Sequence, residues 1–149
     1  MVMPSPPALQ SAAAQTLDAW HRMVAQRDLS GLKALLHADA VFRSPVAHTP
    51  YPGADTVALV LRTVLQVFED FAYHRQFVAA GGLDVVLEFS ASVGGRALKG
   101  VDVIRFDAQG AIVEFEVLIR PASGLKALGD EMARRLASAS PAFRPPGPA

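Results

Sequence analysis

The sequence predicts a single α+β domain, in which three N-terminal helices pack on a strongly curved antiparallel sheet and a further helix follows the sheet. Three observations lead to this fold class. The chain has 149 residues, of which 51% are hydrophobic, enough for one core. Apolar residues recur at helical spacing in the first half, and four strand-like runs separated by turn signals follow. This order of elements differs from the alternating strands and helices of a parallel α/β sheet.

The helices are predicted from apolar positions spaced three or four residues apart. Leu17, Trp20 and Val24 mark one face of the first helix, and Val57 and Leu61 mark one face of the longest helix. The second helix is short and the fourth follows the last strand. We expect helices at residues 9–26, 31–37, 54–71 and 123–136.

The strands are predicted from runs of residues that favour strands, bounded by turn residues. Gly81-Gly82, Gly94-Gly95 and the segment 107–110 are hairpin turn signals, so the last four strands should form a meander. The segment 44–53 contains three prolines and a glycine, so we expect a loop that cannot pair regularly and forms a rim. Strands are expected at residues 40–44, 72–79, 83–93, 96–106 and 111–120.

The chain is predicted to hold one folded part between irregular ends. Residues 9–137 form the predicted domain and residues 1–8 a flexible N-terminus. Residues 138–149 are rich in proline and are expected to form a disordered tail.

Charge and cysteine content exclude several partners and chemistries. Lys and Arg total 14, as do Asp and Glu, so the summed charge attracts neither nucleic acid nor an anionic membrane. Without cysteine there is no thiolate nucleophile and no cysteine ligand for zinc. His21, His37 and His74 lie on separate predicted elements, so we expect no metal site and no cofactor. No secretory signal or membrane-spanning segment is visible, and we expect a cytoplasmic protein.

Two stretches of the sequence resemble a known superfamily. The run DLSGLKALLHADAVFRSPVAHTPYPG, at 28–53, precedes a long helix, and GVDVIRFDAQGAIVEFEVLIRP, at 100–121, closes the sheet. Together they resemble the nuclear transport factor 2-like superfamily, which includes SnoaL-like proteins and ketosteroid isomerases. The resemblance covers roughly 9–136. It implies a cone-shaped roll around an apolar pocket and a homodimer formed through the convex face of the sheet.

Matching the chain to the ketosteroid isomerases residue by residue implies an incomplete active site. The general base falls on Ser44, and a hydroxyl without an activating base cannot take a proton from carbon near neutral pH. The oxyanion-hole tyrosine falls on Trp20 and a further tyrosine falls on Leu61. Only the oxyanion-hole aspartate has a counterpart in this chain, which is Asp102. The resemblance therefore predicts that the chain is not a ketosteroid isomerase.

Asp102 is the candidate catalytic residue. Period-2 alternation places it on the same strand face as Gly100 and Ile104. The resemblance implies that this face is the concave one. One interpretation is a pocket acid of raised pKa that donates to a ligand oxygen. The alternative is a structural carboxylate paired with a strand-end amide, Arg43 or Arg105.

The remaining candidate residues form a mostly apolar wall with a few polar groups, a composition typical of ligand sites. Trp20 is interpreted either as part of the pocket wall or as a core residue without contact to a ligand. His48 is interpreted either as a base or as a solvated loop residue. The candidate ligand-binding residues are Trp20, Ser44, His48, Tyr51, Leu61, Leu87, Phe89, Phe115, Val117 and Ile119.

We therefore expect a SnoaL-like protein that binds an apolar, oxygenated small molecule. The alternative is a pocket enzyme of isomerase, cyclase or hydrolase type that uses Asp102 as an acid. The hydrolase version lacks an arginine, because Gly100 stands where epoxide hydrolases have one. The homodimer is expected at the outer face of the last strands, although a solvated face is the other interpretation. That face carries Val103, Glu114, Glu116, Leu118 and Arg120.

Overall fold

The structure, a computed structural model, describes residues 5–138, and it is α+β as predicted. All the predicted helices and strands are present, the second helix as a four-residue 3-10 helix. Most of the predicted tail at 138–149 and half of the predicted flexible N-terminus at 1–8 lie outside the described residues. The elements are α1 (Ser11–Gln26), the 3-10 helix (Leu32–Leu35), β1 (Leu36–Arg43), β2 (Tyr51–Pro52), α2 (Ala54–Val67), β3 (Glu69–Val78), β4 (Asp84–Val93), β5 (Arg96–Phe106), β6 (Ile112–Arg120) and α3 (Ala122–Ala137).

The six strands form one sheet in the order β2-β1-β6-β5-β4-β3. The strands β3 to β6 form the predicted antiparallel meander, but β1 pairs with β6 in parallel, so the sheet is mixed rather than wholly antiparallel. Inside the segment 44–53, Tyr51 pairs with Phe42 and Pro52 with Val41. The expectation that this segment cannot pair is thus wrong for two residues, since proline is tolerated on an edge strand.

The boundary between α2 and β3 lies earlier than the sequence predicts. Apolar spacing favours a helix to residue 71, yet α2 ends at Val67 because Phe68 has an extended backbone, with φ −67° and ψ 130°. Pairing of β3 with β4 is then interrupted by an irregularity between Glu69 and Ala72, and Asp70 there has a φ of +52°. The aromatic residues that follow belong to the sheet and not to the helix.

Helix α1 is held against two turns of the sheet. Its Thr16 hydroxyl donates to the carbonyl of Gly110 at 2.6 Å, and the Gln10 N–H donates to the carbonyl of Gly82 at 2.8 Å. A side chain at Gly110 would place its Cβ 2.5 Å from the carbonyl oxygen of Ala12, so this close approach needs glycine. The three helices cover the concave face of the sheet, and α3 packs on α2, β5 and β6. Across residues 5–138, we find no helix with the length and hydropathy that a membrane span requires.

Candidate functional site

A cavity of about 140 Å³ lies between the concave face of the sheet and the helices. Most of its wall is hydrocarbon, contributed by α2, α3 and the aromatic residues of the sheet. Two pairs of rings make up one side: Trp20 meets Phe115 edge-on at 5.3 Å between ring centroids, and Phe42 stacks on Tyr51 at 6.5 Å. Close-packed interiors seldom leave such a volume, so the space is a candidate ligand site.

Most of the residues expected from the sequence to line a pocket do line this cavity. The set joins the first helix, the edge of the sheet and its central strands around one space. Its members are Trp20, Ser44, Tyr51, Leu61, Asp102, Phe115 and Val117.

Four of the expected residues lie elsewhere. His48 is exposed in the loop between β1 and β2. Phe89 is fully buried on the concave face, but the rings of Phe68, Phe71 and Tyr73 lie over it and separate it from the cavity. Leu87 and Ile119 also lie outside the lining; Leu87 is buried in the core, and Ile119 is half-buried beside Gly100.

Asp102 lies on the concave face of β5, where the predicted period-2 alternation is observed. It pairs in register with Leu87 on β4 and Val117 on β6, and only 6% of its surface is exposed. Burial raises the pKa of this carboxyl to about 7, although a hydrogen bond from a tyrosine acts in the opposite direction. A carboxyl in this setting gives or takes a proton near neutral pH.

Neither arginine considered from the sequence pairs with Asp102. The Nε of Arg43 donates to Glu114 at 2.7 Å, and the Nε of Arg105 donates to Asp84 at 2.9 Å. Both ion pairs lie on the outer face of the sheet, opposite the cavity. The partner of Asp102 is therefore a neutral group and not a cation.

That partner is Tyr73, which the sequence analysis missed. Its hydroxyl donates to Oδ2 of Asp102 at 2.5 Å and accepts a hydrogen bond from Nε1 of Trp20 at 2.9 Å. Burial, followed by the neighbouring Asp102 carboxyl, raises the pKa of Tyr73 well above its usual value, so this phenol stays protonated. The chain has two tyrosines, and only Tyr73 lies in a strand predicted from the sequence, which is the one signal that could have pointed to it.

Ser44, which the resemblance matches to the general base of the ketosteroid isomerases, lines the cavity together with the exposed Val46. Its Oγ accepts the N–H of Val46 at 3.1 Å, a local turn contact that leaves the hydroxyl proton to donate elsewhere. Within the described lining, Asp102 is the one carboxyl, and lysine, arginine and histidine are absent. In residues 5–138, no group of three or more histidine, aspartate or glutamate side chains is placed to hold a metal.

Comparison with known proteins identifies the family of the chain. Residues 17–115 match the family model of the SnoaL-like domain, which is well over half of the sequence. The chain belongs to the SnoaL-like family. No curated protein matches this SnoaL-like chain.

Solved structures agree with that family and fold. A protein from Pseudomonas aeruginosa, described as a steroid delta-isomerase, is 65% identical, covers 91% of this SnoaL-like chain and 98% of its own, and has a TM-score of 0.87. An uncharacterised protein from Silicibacter pomeroyi with a cystatin-like fold is 38% identical over 83% of this chain and 86% of its own, with a TM-score of 0.77. An epoxide hydrolase/cyclase-like enzyme of salinomycin pyran ring formation shares the fold at 15% identity, covering 75% of this chain and 92% of its own, with a TM-score of 0.61.

Gly100 shows that this SnoaL-like site has no room for the arginine of the epoxide hydrolases. A Cβ at Gly100 would lie 2.5 Å from the carbonyl oxygen of Leu118 and 2.7 Å from Cζ of Phe89. Backbone and a buried ring fill the space that a longer side chain needs. Position 100 of β5 therefore cannot carry an arginine.

Proposed function

We propose that the chain binds an apolar, oxygenated small molecule in the cavity, with the ligand oxygen at Asp102. The observation that carries the proposal is a single buried carboxyl, held by Tyr73, in a wall that is otherwise almost entirely hydrocarbon. Hydrocarbon surfaces supply the free energy of binding, and one polar group fixes the orientation of the ligand.

The size of the cavity points to a ligand, or a part of one, about as large as a single ring. Its volume of about 140 Å³ is close to that of the roughly 150 Å³ apolar cavity that holds benzene. Val46 lines the cavity and is 56% exposed, so it marks the mouth. A larger ligand would extend past this residue.

The protein carries its own probe for this proposal. Trp20 is the one tryptophan of the chain and it lines the cavity, so its fluorescence reports occupation. Titration with 2-cyclohexen-1-one should give a saturable change, and cyclohexene, which has the same ring without oxygen, should bind more weakly. Ser90→Ala, which removes a hydroxyl bonded to His74 on the outer face, should leave both titrations unchanged. Equal affinity for the two compounds, or no saturable change with the enone, would refute the proposal.

A second candidate function is isomerisation of an unsaturated ketone by Asp102 acting alone. It is favoured by the 65% identity to a protein described as a steroid delta-isomerase and by a carboxyl whose pKa of about 7 suits proton transfer. Asp102, when ionised, would take a proton from the carbon between the carbonyl and the double bond and return it to the far carbon of the original double bond, which thereby moves into conjugation. The donor to the carbonyl oxygen would then be a different group, and Ser44 has a hydroxyl proton available.

An absorbance assay separates the two candidates. The first predicts no conversion of a 3-oxo-steroid with an isolated double bond into its conjugated isomer, because the resemblance matches Ser44, and not a carboxylate, to the general base. Conversion that is lost in Asp102→Asn and weakened but not abolished in Ser44→Ala would establish the second. Conversion that is kept in Asp102→Asn would refute both descriptions of the site.

We also propose that the outer face of the sheet joins two copies of the chain. Phe77, Val86 and Val103 are aligned by register across β3, β4 and β5, so they share this face. Phe77 and Leu118 are 50% and 52% exposed. An apolar row of this kind is uncommon on a monomer and suits a two-fold interface.

A further inference from the structure

Tyr73 and Trp20 form a hydrogen-bonded chain with Asp102 that has one direction. An indole N–H only donates, so Trp20 must be the donor to the Tyr73 oxygen. The single phenolic proton of Tyr73 then points to Oδ2 of Asp102. The reverse arrangement, with Asp102 donating to Tyr73, would leave the tyrosine oxygen with two donors and its own proton without the acceptor that it now has.

The direction of this chain determines which oxygen of Asp102 meets a ligand. Oδ2 is occupied as an acceptor, so a proton on the carboxyl resides on Oδ1. In the part of the chain that the structure describes, every fully buried side-chain oxygen has a hydrogen-bond partner. The hydrogen bond to Asp102 there goes to Oδ2, and no described group donates to Oδ1. Oδ1 therefore keeps accessible surface, which faces the cavity that Asp102 lines.

Resting on the function proposed above, we infer that Tyr73 is a positioning residue that makes the site select a carbonyl oxygen over a hydroxyl. It does so without donating to the ligand, because its only proton is committed to Asp102. A neutral Asp102 held in this way presents one O–H to the cavity. A carbonyl accepts that proton, whereas an alcohol must turn its own proton toward a wall that offers hydrocarbon.

Few other titratable groups face Asp102, so the selectivity should follow the charge of this one carboxyl. Tyr73 comes from β3 and stays protonated, and Tyr51 lies in the same lining next to β1. Behind Tyr73, the ring of His21 on α1 meets the tyrosine ring edge-on at 5.2 Å. The parts of α2, α3 and β6 that line the cavity contribute hydrocarbon, and the β4 residue in register with Asp102 is Leu87. An ionised Asp102 accepts instead of donating, so the preference should pass from the ketone to the alcohol as pH rises.

The experiment uses ligand-observed NMR to compare 2-cyclohexen-1-one with 2-cyclohexen-1-ol, which differ only at the oxygen and the carbon that carries it. For the wild type in weak acid, we expect the ketone to bind at least about fivefold more tightly, the loss typical of one unmatched polar group. At mildly alkaline pH the order of the two affinities should reverse. Tyr73→Phe should bind both compounds with a ratio near one in weak acid, because either carboxyl oxygen can then carry the proton. Ser90→Ala on the outer face should keep the wild-type ratio.

A second measurement tests the chain in the absence of any ligand. The sequence has one tryptophan, so a single indole N–H resonance reports the bond from Trp20 to Tyr73. Tyr73→Phe should shift this resonance and speed its exchange with water. In the wild type it should move with pH as Asp102 titrates.

The outcomes distinguish this inference from the function on which it rests. If neither compound binds the wild type, the proposed function fails. If both bind and Tyr73→Phe keeps the wild-type ratio, the positioning role of Tyr73 is wrong while the proposed function stands. An indole resonance that is unchanged in Tyr73→Phe would also overturn the inference.

Discussion

Replacing Asp102 with asparagine should make the protein more stable at high pH and leave its stability almost unchanged in acid. Asparagine has the shape of the protonated acid, with an oxygen to accept from Tyr73 and a donor for the cavity. The carboxyl has a pKa of about 7 in the folded protein and 3.8 ordinarily. At about 1.4 kcal/mol per pH unit, this difference corresponds to about 4 kcal/mol.

The sign follows from proton binding. Between those two pKa values Asp102 is protonated in the folded protein and ionised in the unfolded chain, so folding takes up a proton. The free energy of unfolding of the wild type therefore falls as pH rises through this window. Asp102→Asn lacks this loss, and its stability relative to the wild type should increase by about 4 kcal/mol from near pH 4 to near pH 8.

Urea unfolding followed by Trp20 fluorescence measures the effect at both pH values. Asp18→Asn, at an exposed position on α1, gives the change expected from the amide substitution alone. A stability difference for Asp102→Asn that is the same near pH 4 and near pH 8 would refute the reasoning, because it would mean that the folded protein does not keep this carboxyl protonated.

Three further predictions concern the sheet. Leu118→Glu should convert a dimer into a monomer in light scattering, and a wild type of monomer mass at micromolar concentration would exclude the interface. Gly100→Ala should destabilise by about 1–3 kcal/mol in urea unfolding, because its Cβ would meet backbone and Phe89; an unchanged midpoint would contradict this. The hydrogen bond from Arg75, aided by Lys99, lowers the pKa of Glu88 to about 2, so its contribution to stability is present above its usual pKa and is lost as pH falls toward 2. Glu88→Gln should lack that acid-dependent loss, and parallel pH profiles of stability would refute it.

The sequence predicts much of this site because two periodicities hold locally. Alternation in β5 places Asp102 on one face with Gly100 and Ile104, and helical spacing places Trp20 on the apolar face of α1. Neither periodicity needs long-range information, whereas the resemblance to the superfamily implies which of these faces line a pocket. The same holds for the order of the elements, which turn residues between the strands mark clearly.

Tyr73 could not be placed in this way because β3 does not alternate regularly. Strict alternation would put Tyr73 and Phe77 on one face, yet pairing with β4 shifts between Tyr73 and Gln76. Tyr73 therefore lies over the cavity, while Phe77 is 50% exposed on the outer face. The shift depends on the partner strand, which the sequence of β3 alone does not contain.

The most direct test of the central claim compares the affinity of 2-cyclohexen-1-one for Asp102→Asn and Asp102→Leu in weak acid, by Trp20 fluorescence. Asparagine keeps a donor in the cavity, whereas leucine removes it and leaves both Tyr73 and the ligand oxygen without their partner. The account predicts affinity close to the wild type for Asp102→Asn and a loss of about tenfold or more for Asp102→Leu. If the folded Asp102→Leu protein binds the ketone as tightly as the wild type does, the ligand oxygen does not lie at Asp102.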